Sequence, residues 1–200
     1  PMSTQLEALG IGLTEGWDPA QLDPVPDVVI VGNAMTRGNP VVEAVLDRGL
    51  SYVSGPQWLA EHVLQGRWVL AVAGTHGKTT TSALLTWILE QAGLNPGFLI
   101  GGVPRNFGVS ARLTDSPFFV VEADESDGTF IVLDSLVGIV TNVEPDHLNY
   151  WKTVEAMEQG FRDFADKLTS RGGFLIACAD DPGAAALAAH HRAHGGDVRT

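Results

Sequence analysis

A seven-residue run near the middle of the chain combines two glycines, a lysine and several hydroxyl side chains: Gly74-Thr75-His76-Gly77-Lys78-Thr79-Thr80. It follows the apolar stretch Trp68–Ala73 and precedes the helix-like stretch Thr81–Leu89. A glycine turn between a strand and a helix N-terminus presents backbone N–H groups to an anion, and the helix dipole adds to the attraction. The run predicts a nucleotide-phosphate loop in which Lys78 neutralises the β- and γ-phosphates of ATP and the Thr79 hydroxyl binds Mg²⁺.

The run is a shortened form of the common phosphate-loop pattern. That pattern has a glycine five residues before Gly77, where this chain has Val72. The alternative interpretation is a plain turn in which Gly74 and Gly77 serve only the backbone and Lys78 lies in solvent. The strand before the run and the helix after it favour the phosphate loop, because they are the context that the motif requires.

Polar side chains also follow two other apolar stretches. Phe118–Val121 leads into Glu122-Ala123-Asp124-Glu125-Ser126-Asp127, and Val137–Val140 leads into Thr141-Asn142-Val143-Glu144-Pro145-Asp146-His147. Ligands of open α/β sheets bind at the carboxyl ends of the strands. We therefore expect the acidic run and the Asp146-His147 pair to meet the phosphate loop at one edge of a sheet.

Oxygen ligands at that edge would suit Mg²⁺, which prefers them and keeps several waters. Thr79, Glu122 and a nucleotide phosphate make a first predicted site, and His147 would hold a second ion or orient one through water. Taken singly, the acidic run could be a solvated turn and His147 a surface or helix-capping histidine. Their combination with the phosphate loop favours the metal interpretation.

Alternating strands and helices with short connections predict the α/β class with a parallel sheet. In the first part of the chain, we expect helices over Ser3–Leu9, Pro40–Arg48 and Pro56–Leu64 and strands over Val28–Val31 and Ser51–Val53. In the second part, we expect strands over Trp68–Ala73, Phe98–Ile100, Phe118–Glu122, Leu136–Thr141 and Phe174–Ala177, a helix over Thr153–Leu168, and a further helix around the alanine run Ala184–Ala189.

Composition narrows the range of partners and locations. The 200 residues include 24 acidic and 12 basic side chains, a formal net charge of −12, which argues against general binding to nucleic acid or to an anionic membrane. No apolar run approaches the roughly 20 residues of a membrane span, and no signal peptide opens the chain. The single cysteine, Cys178, cannot form an internal disulfide, which favours a cytoplasmic location, and we expect it to pack in the core.

Taken together, these motifs resemble the Mur ligase family, the ATP-dependent amide ligases of peptidoglycan metabolism. The resemblance is carried in family order by Gly74–Thr80, Gly101-Gly102, Glu122–Asp127 and Thr141–His147. It implies that residues 1–66 are the C-terminal part of a Rossmann-like domain for a UDP-sugar. Residues 67–200 would be the N-terminal part of a P-loop ATPase-type central domain. Both domains are expected to be incomplete here, with the family's C-terminal domain outside the chain.

The resemblance also implies a reaction and its residues. UDP-N-acetylmuramate would be joined to an amine through an acyl phosphate, with ATP and Mg²⁺ as cofactors and Lys78, Glu122 and His147 as catalytic residues. Asn106 and Arg112 are candidates for contacts with the substrate, although Arg112 could equally be a surface charge.

The identity of the amine stays open at this point. Asn33–Pro40, Ser54–Leu59 and Gly101–Phe107 favour the tripeptide L-alanyl-γ-D-glutamyl-meso-diaminopimelate, whereas Glu125–Asp127 and Ile139–His147 favour L-alanine. A folate polyglutamate ligase and a nucleotide-binding switch are the alternatives. The segment Val28–Gln65 argues against the folate enzyme, which has no UDP-sugar domain before its ATPase domain.

Overall fold

The computed structural model describes residues 2–200, without the side chains of residues 2, 3 and 5. Backbone packing divides the chain into a first unit that ends at Gly55 and a second unit over Pro56–Thr200. The first unit contains helix α1 (Met2–Ala8), a short 3-10 helix (Pro19–Leu22), strand β1 (Val29–Val31), helix α2 (Pro40–Asp47) and strand β2 (Tyr52–Ser54). β1 and β2 pair in parallel, as predicted from the short connections through α2. The predicted domain boundary between residues 66 and 67 stays a prediction.

The start of α2 is fixed by its own side chains. Asn39 caps the helix by accepting hydrogen bonds from the amides of Val41 and Val42. Ahead of it, the Arg37 guanidinium donates two bonds to the Glu43 carboxylate, and the Gly38 amide donates a third. These bonds from Arg37 and Gly38 lower the pKa of Glu43 to about 2.

The second unit is built on a seven-stranded sheet with the order β5-β4-β6-β3-β7-β8-β9. Its strands are β3 (Trp68–Ala73), β4 (Gly97–Leu99), β5 (Ala111–Arg112), β6 (Phe118–Glu122), β7 (Val137–Val140), β8 (Phe174–Ala177) and β9 (Asp197–Arg199). Its helices are α3, which begins at the end of the first unit (Gly55–His62), α4 (Lys78–Gln91), α5 (Leu148–Trp151), α6 (Val154–Ser170) and α7 (Pro182–Ala193), with a 3-10 helix at Thr129–Val132. All neighbouring strands are parallel except β4 and β5.

Side chains of the central strands pack against helices on both faces of this sheet. Alternate residues of β3 and β6 join α6 and α7 in the larger core, where Phe130 stacks on Phe164. The opposite face packs Phe98, Ile100 and Val120 against Leu85 and Leu89 of α4. Burial on both faces explains why the central strands are nearly continuous apolar runs. The predicted α/β class with a mostly parallel sheet is confirmed.

Cys178 differs from its expected place. It directly follows β8 at the carboxyl edge of the sheet, and its side chain is exposed rather than packed in the core. The apolar run ends at Ala177, so Cys178 is the first residue beyond the buried strand. In the part of the chain that the structure describes, no helix combines the length and the apolar character needed to cross a membrane.

His191, on α7, is buried against α6 with only 1% of its surface exposed. Its Nε2 lies 3.3 Å from the Thr169 hydroxyl and its Nδ1 lies 3.6 Å from the Asp166 carboxylate. Burial lowers the pKa of His191 below its ordinary value of 6.5, an effect that Asp166 partly offsets. Between the lowered pKa and 6.5, the unfolded chain binds a proton that the folded chain does not bind. Acidification through this window therefore destabilises the fold.

We expect the His191→Gln variant to lose less stability than the wild-type protein when the pH falls from about 7 to about 5. Glutamine does not titrate, so the unfolded state gains no proton at this position. Urea unfolding midpoints at each pH measure the difference. The control is His62→Gln, which removes an exposed histidine at the end of α3 and should keep the wild-type pH dependence. Equal pH dependence in all three proteins would show that His191 does not contribute to the loss of stability at low pH.

A candidate nucleotide-phosphate site at the centre of the sheet

The candidate site lies at the topological switch point of the sheet, where the strand order reverses. From β3 the chain first adds β4 and β6 on one side and then β7 and β8 on the other. The carboxyl ends of β6, β3 and β7 are therefore neighbours, and a crevice at such a switch point is where open α/β sheets bind ligands. The phosphate loop follows β3, the acidic run follows β6, and the Thr141–His147 segment follows β7. The expected convergence of the three strand ends is observed.

The first half of the phosphate loop is clamped to the segment after β7. The amide of Thr75 donates to the Asn142 carbonyl at 3.2 Å, and the amide of His76 donates to the Asn142 side chain at 2.7 Å. The Thr75 hydroxyl donates to the Glu144 carbonyl and accepts from the Glu144 amide. The Thr141 hydroxyl donates to the His76 carbonyl at 2.6 Å. The amides of Thr75 and His76 are therefore engaged within the protein, and this half of the loop serves as a support.

The second half of the loop supplies the free donors. Gly77 has φ of +81° and precedes α4, whose first turn closes with the bond from the Thr81 amide to the Gly77 carbonyl. In the described residues, the amides of positions 77–80 have no hydrogen-bond partner. Four unpaired amides at a helix N-terminus make a binding site for an anion such as a phosphate. Phosphate binding by the run Gly74–Thr80 stays a prediction, and these four amides are the donors that its second half offers.

Lys78 begins α4, and its ammonium folds back over the loop. Nζ donates to the carbonyls of Gly74 at 2.8 Å and Thr75 at 3.3 Å. It also lies 3.1 Å from Oε1 and 2.9 Å from Oε2 of Glu125. The side chain of Lys78 is 14% exposed and that of Glu125 only 2% exposed. The alternative of a lysine extended into solvent is wrong, because the charge is held inside the crevice.

Glu122 and Thr79 form the second pair of the site. The Thr79 hydroxyl donates to Glu122 Oε1 at 2.9 Å, and the amide of Gly101 donates to Oε2 at 2.8 Å. A Cβ at Gly101 would lie 3.0 Å from Oε1, and one at Gly102 would lie 3.0 Å from the methyl group of Thr79. A side chain at either glycine would therefore crowd Glu122 or Thr79, which would have to shift by a few tenths of an ångström to admit it.

His147 lies beside Glu125 rather than beside Glu122. Its Nε2 is 3.9 Å from Glu125 Oε1 and 3.8 Å from Asp146 Oδ2. Its backbone φ of +52° is unusual for a residue other than glycine and turns the chain into α5. The described residues contain no group of three or more histidine, cysteine and acidic side chains arranged around a metal position.

Mg²⁺ fits the donors that the structure brings together, provided that phosphate and water complete its shell. The Thr79 hydroxyl and the Glu122 carboxylate are both oxygen donors and already touch, which matches the preference of this ion for a few protein oxygens. His147 is half-buried and close to the carboxylates of Glu125 and Asp146, so it is the candidate side chain for a second ion. Its role as a ligand stays a prediction.

The two residues predicted to bind the substrate lie in different places. Asn106 is exposed in the loop that follows β4, at the same edge of the sheet as the phosphate loop. Arg112 instead donates to Glu90 at 2.5 Å and to the Pro96 carbonyl at 3.0 Å, and its guanidinium stacks on Phe98. Glu90 lies twelve residues along α4 from Lys78, about 18 Å at the usual helical rise. These contacts place Arg112 away from the phosphate loop, and a contact with substrate stays a prediction for both residues.

Glu125 is a residue of this site whose role the acidic run alone did not indicate. Phe119, Val121, Ala123 and Glu125 alternate along the chain, and all four are buried. The same alternation was visible in the sequence, since every second residue of a strand faces the same side of a sheet. Continuing that period past the end of the strand would have predicted that Glu125 is buried and that Asp124 is exposed.

Comparison with known proteins agrees with this geometry. Residues 72–200 match the Mur ligase middle domain, and residues 1–67 match the catalytic domain of the Mur ligase family. The UDP-N-acetylmuramate–L-alanyl-gamma-D-glutamyl-meso-2,6-diaminoheptandioate ligase of Escherichia coli is 54% identical over 182 residues, which cover 88% of this chain and 40% of that protein. The UDP-N-acetylmuramate–L-alanine ligase of Kineococcus radiotolerans is 45% identical over 202 residues, covering 100% of this chain and 42% of that protein.

Among solved structures, the UDP-N-acetylmuramate:L-alanyl-gamma-D-glutamyl-meso-diaminopimelate ligase from Neisseria meningitides has a TM-score of 0.88 at 47% identity, covering 95% of this chain and 64% of that chain. The chain thus spans less than half the length of the two curated relatives. The match to the middle domain alone covers more than half of the chain. Since its motifs, its sheet and its relatives agree, the chain belongs to the Mur ligase family.

Proposed function

We propose that the full-length protein is an ATP-dependent ligase that joins the carboxylate of UDP-N-acetylmuramate to the amine of L-alanyl-γ-D-glutamyl-meso-diaminopimelate. The observation that carries the ATP-dependent part is the anion site of four free amides at the N-terminus of α4, with the Lys78 ammonium held inside the same loop. The choice of substrates is supported by the relatives that act on them. A location in the cytoplasm belongs to the same proposal.

The proposed reaction has two steps. A carboxylate oxygen first attacks the γ-phosphorus of ATP, and the bond from that phosphorus to ADP breaks, which leaves an acyl phosphate. The amine nitrogen then attacks the acyl carbon, the bond from that carbon to the phosphate oxygen breaks, and inorganic phosphate leaves while the nitrogen releases a proton to solvent and the amide forms. Two anions must meet in the first step, so fixed positive charge and fixed dipoles lower its barrier.

The residues of the crevice would perform that electrostatic work. The amides of positions 77–80 would bind phosphate oxygens, and the Lys78 ammonium would turn towards the charge that develops on the transferred group. Thr79 and Glu122 would hold Mg²⁺, with His147 beside a second ion. When bound, Mg²⁺ supplies charge neutralisation for the phosphate oxygens.

We expect Glu122→Gln in the full-length protein to raise the Mg²⁺ concentration needed for half-maximal activity by about tenfold or more. The amide keeps the shape of the side chain and loses the anionic ligand. The KM for UDP-N-acetylmuramate should stay within about twofold, since Glu122 contacts Thr79 and Gly101. Magnesium titrations of phosphate release measure the effect. An unchanged magnesium requirement would move the metal role to Asp124 or Glu125, which Asp124→Asn would then separate.

L-Alanine is the second candidate for the amine, because the relative from Kineococcus radiotolerans acts with L-alanine and matches 100% of the chain. Ligation assays with the full-length protein and each amine in turn decide between the two. We expect phosphate release to require ATP, UDP-N-acetylmuramate and the tripeptide together. Equal release without the sugar or the amine would instead indicate a nucleotide-binding switch.

A further inference from the structure

The ammonium of Lys78 has no free donor in this structure. A lysine ammonium carries three N–H donors, and Nζ of Lys78 faces the Gly74 carbonyl, the Thr75 carbonyl and the Glu125 carboxylate. A phosphate oxygen can therefore reach this ammonium only by replacing one of these partners. The two carbonyls belong to the loop itself, so the partner that carries a competing charge is Glu125.

Glu125 is held firmly in its place. The Glu125 carbonyl accepts from the Trp151 indole at 3.0 Å and from the Gly128 amide at 3.2 Å, which ties it to α5 and to the next turn. Its carboxylate is almost completely buried, and the next cationic candidate, His147, is 3.9 Å away. The position of the carboxylate is therefore fixed from one side by the backbone and from the other by Lys78.

We propose that Glu125 is a positioning residue that acts as a latch on Lys78. It holds the ammonium inside the loop when no nucleotide is bound and competes with the phosphates for it when nucleotide enters. Because two anions share one cation, the latch weakens the binding of ATP and ADP and promotes the release of ADP after each cycle. This inference rests on the proposed function, since it requires that the loop binds nucleotide phosphates.

Glu125→Gln in the full-length protein tests the latch. The amide removes the competing charge and keeps an oxygen that can accept from Nζ. We expect the dissociation constants of ATP and ADP, measured by calorimetry, to fall by about fivefold or more, and product inhibition by ADP to strengthen equally. The KM for the tripeptide should stay within about twofold, whereas general damage to the fold would alter it together with nucleotide affinity.

Two further variants keep the test specific. Glu144→Gln removes an exposed carboxylate that lies 3.9 Å from His76 and should change ADP affinity by less than about twofold. Glu125→Asp retains the charge on a shorter side chain, so its ADP affinity should stay closer to the wild-type value than that of Glu125→Gln. Unchanged or weaker ADP binding in Glu125→Gln would overturn the latch.

Crystal structures of the wild-type full-length protein with and without ADP give a second test of the latch, one that needs no substitution. We expect the Nζ-to-carboxylate distance to be about 3 Å without ADP and to exceed about 4 Å with ADP bound. An ion pair that persists with ADP bound overturns the latch and leaves the proposed function standing. A wild-type protein that binds no ATP overturns both.

Discussion

Lys78→Ala in the full-length protein is expected to lower the rate of ATP-dependent ligation by about a hundredfold or more. The ammonium is held inside the phosphate loop, 2.8 Å from the Gly74 carbonyl and 2.9 Å from the Glu125 carboxylate. The transferred phosphoryl group would lose the fixed charge that stabilises it. Phosphate release with all three substrates measures the effect. A loss of less than about tenfold, 1.4 kcal/mol in the barrier, would show that this loop is not the catalytic phosphate site.

The design must separate catalysis from folding, because Lys78→Ala leaves the Glu125 carboxylate buried without its partner. Removing one member of a buried ion pair destabilises proteins by about 3–5 kcal/mol. The double variant Lys78→Met with Glu125→Gln removes both charges and should unfold near the wild-type urea concentration while remaining inactive. Lys167→Ala, an exposed lysine of α6, should keep full activity.

The central strands could be predicted from the sequence because burial dictates them. The predicted bounds of β3, β6 and β8 agree with the structure residue for residue. β3 and β8 are apolar throughout, and β6 is apolar up to its last residue, Glu122. All three pair with neighbours on both sides. Such strands need apolar side chains on both faces, so their limits lie at the end of the apolar run or one residue beyond it.

The edges of the sheet could not be predicted in this way. β5 has two residues, Ala111 and Arg112, and β9 is Asp197–Arg199, so neither contains an apolar run. Both are edge strands that pair with a single neighbour, and backbone hydrogen bonds hold them in place. Short edge strands with polar side chains carry no periodic signal.

The candidate site was predicted in its location and only partly in its contacts. The three strand ends meet as expected, since neighbouring parallel strands end at one edge of a sheet. The spacing of residues in the sequence does not determine which side chains come into contact. Lys78 pairs with Glu125, whereas Glu122 accepts hydrogen bonds from Thr79 and Gly101. The same holds for Arg112, which was a candidate for contact with the substrate and which the structure binds to Glu90.

Gly74→Ala is expected to cause a larger loss of stability than the same substitution at Gly77, the other glycine of the phosphate loop. Gly74 has φ of +128°, a conformation that L side chains rarely adopt. An added Cβ would lie 2.2 Å from the Thr141 hydroxyl oxygen and 2.9 Å from the Asn142 carbonyl oxygen. The loop would have to leave the segment after β7 that supports it, so backbone strain and steric overlap would act together. We expect the free energy of unfolding to fall by about 3 kcal/mol or more, with loss of ATP binding.

Gly77→Ala is the matched control, because Gly77 also has a positive φ, +81°, but no atom lies within 4 Å of the place that its new methyl group would take. Backbone strain alone should then lower the free energy of unfolding by about 1–2 kcal/mol. Urea unfolding followed by tryptophan fluorescence compares the two variants in the full-length protein. Equal losses would mean that the clamp between the phosphate loop and the Thr141–Asn142 segment does not hold the loop. The two substitutions add the same methyl group to the same turn. A clearly larger loss for Gly74→Ala would therefore show that the close contact between Gly74 and the Thr141–Asn142 segment stabilises the loop.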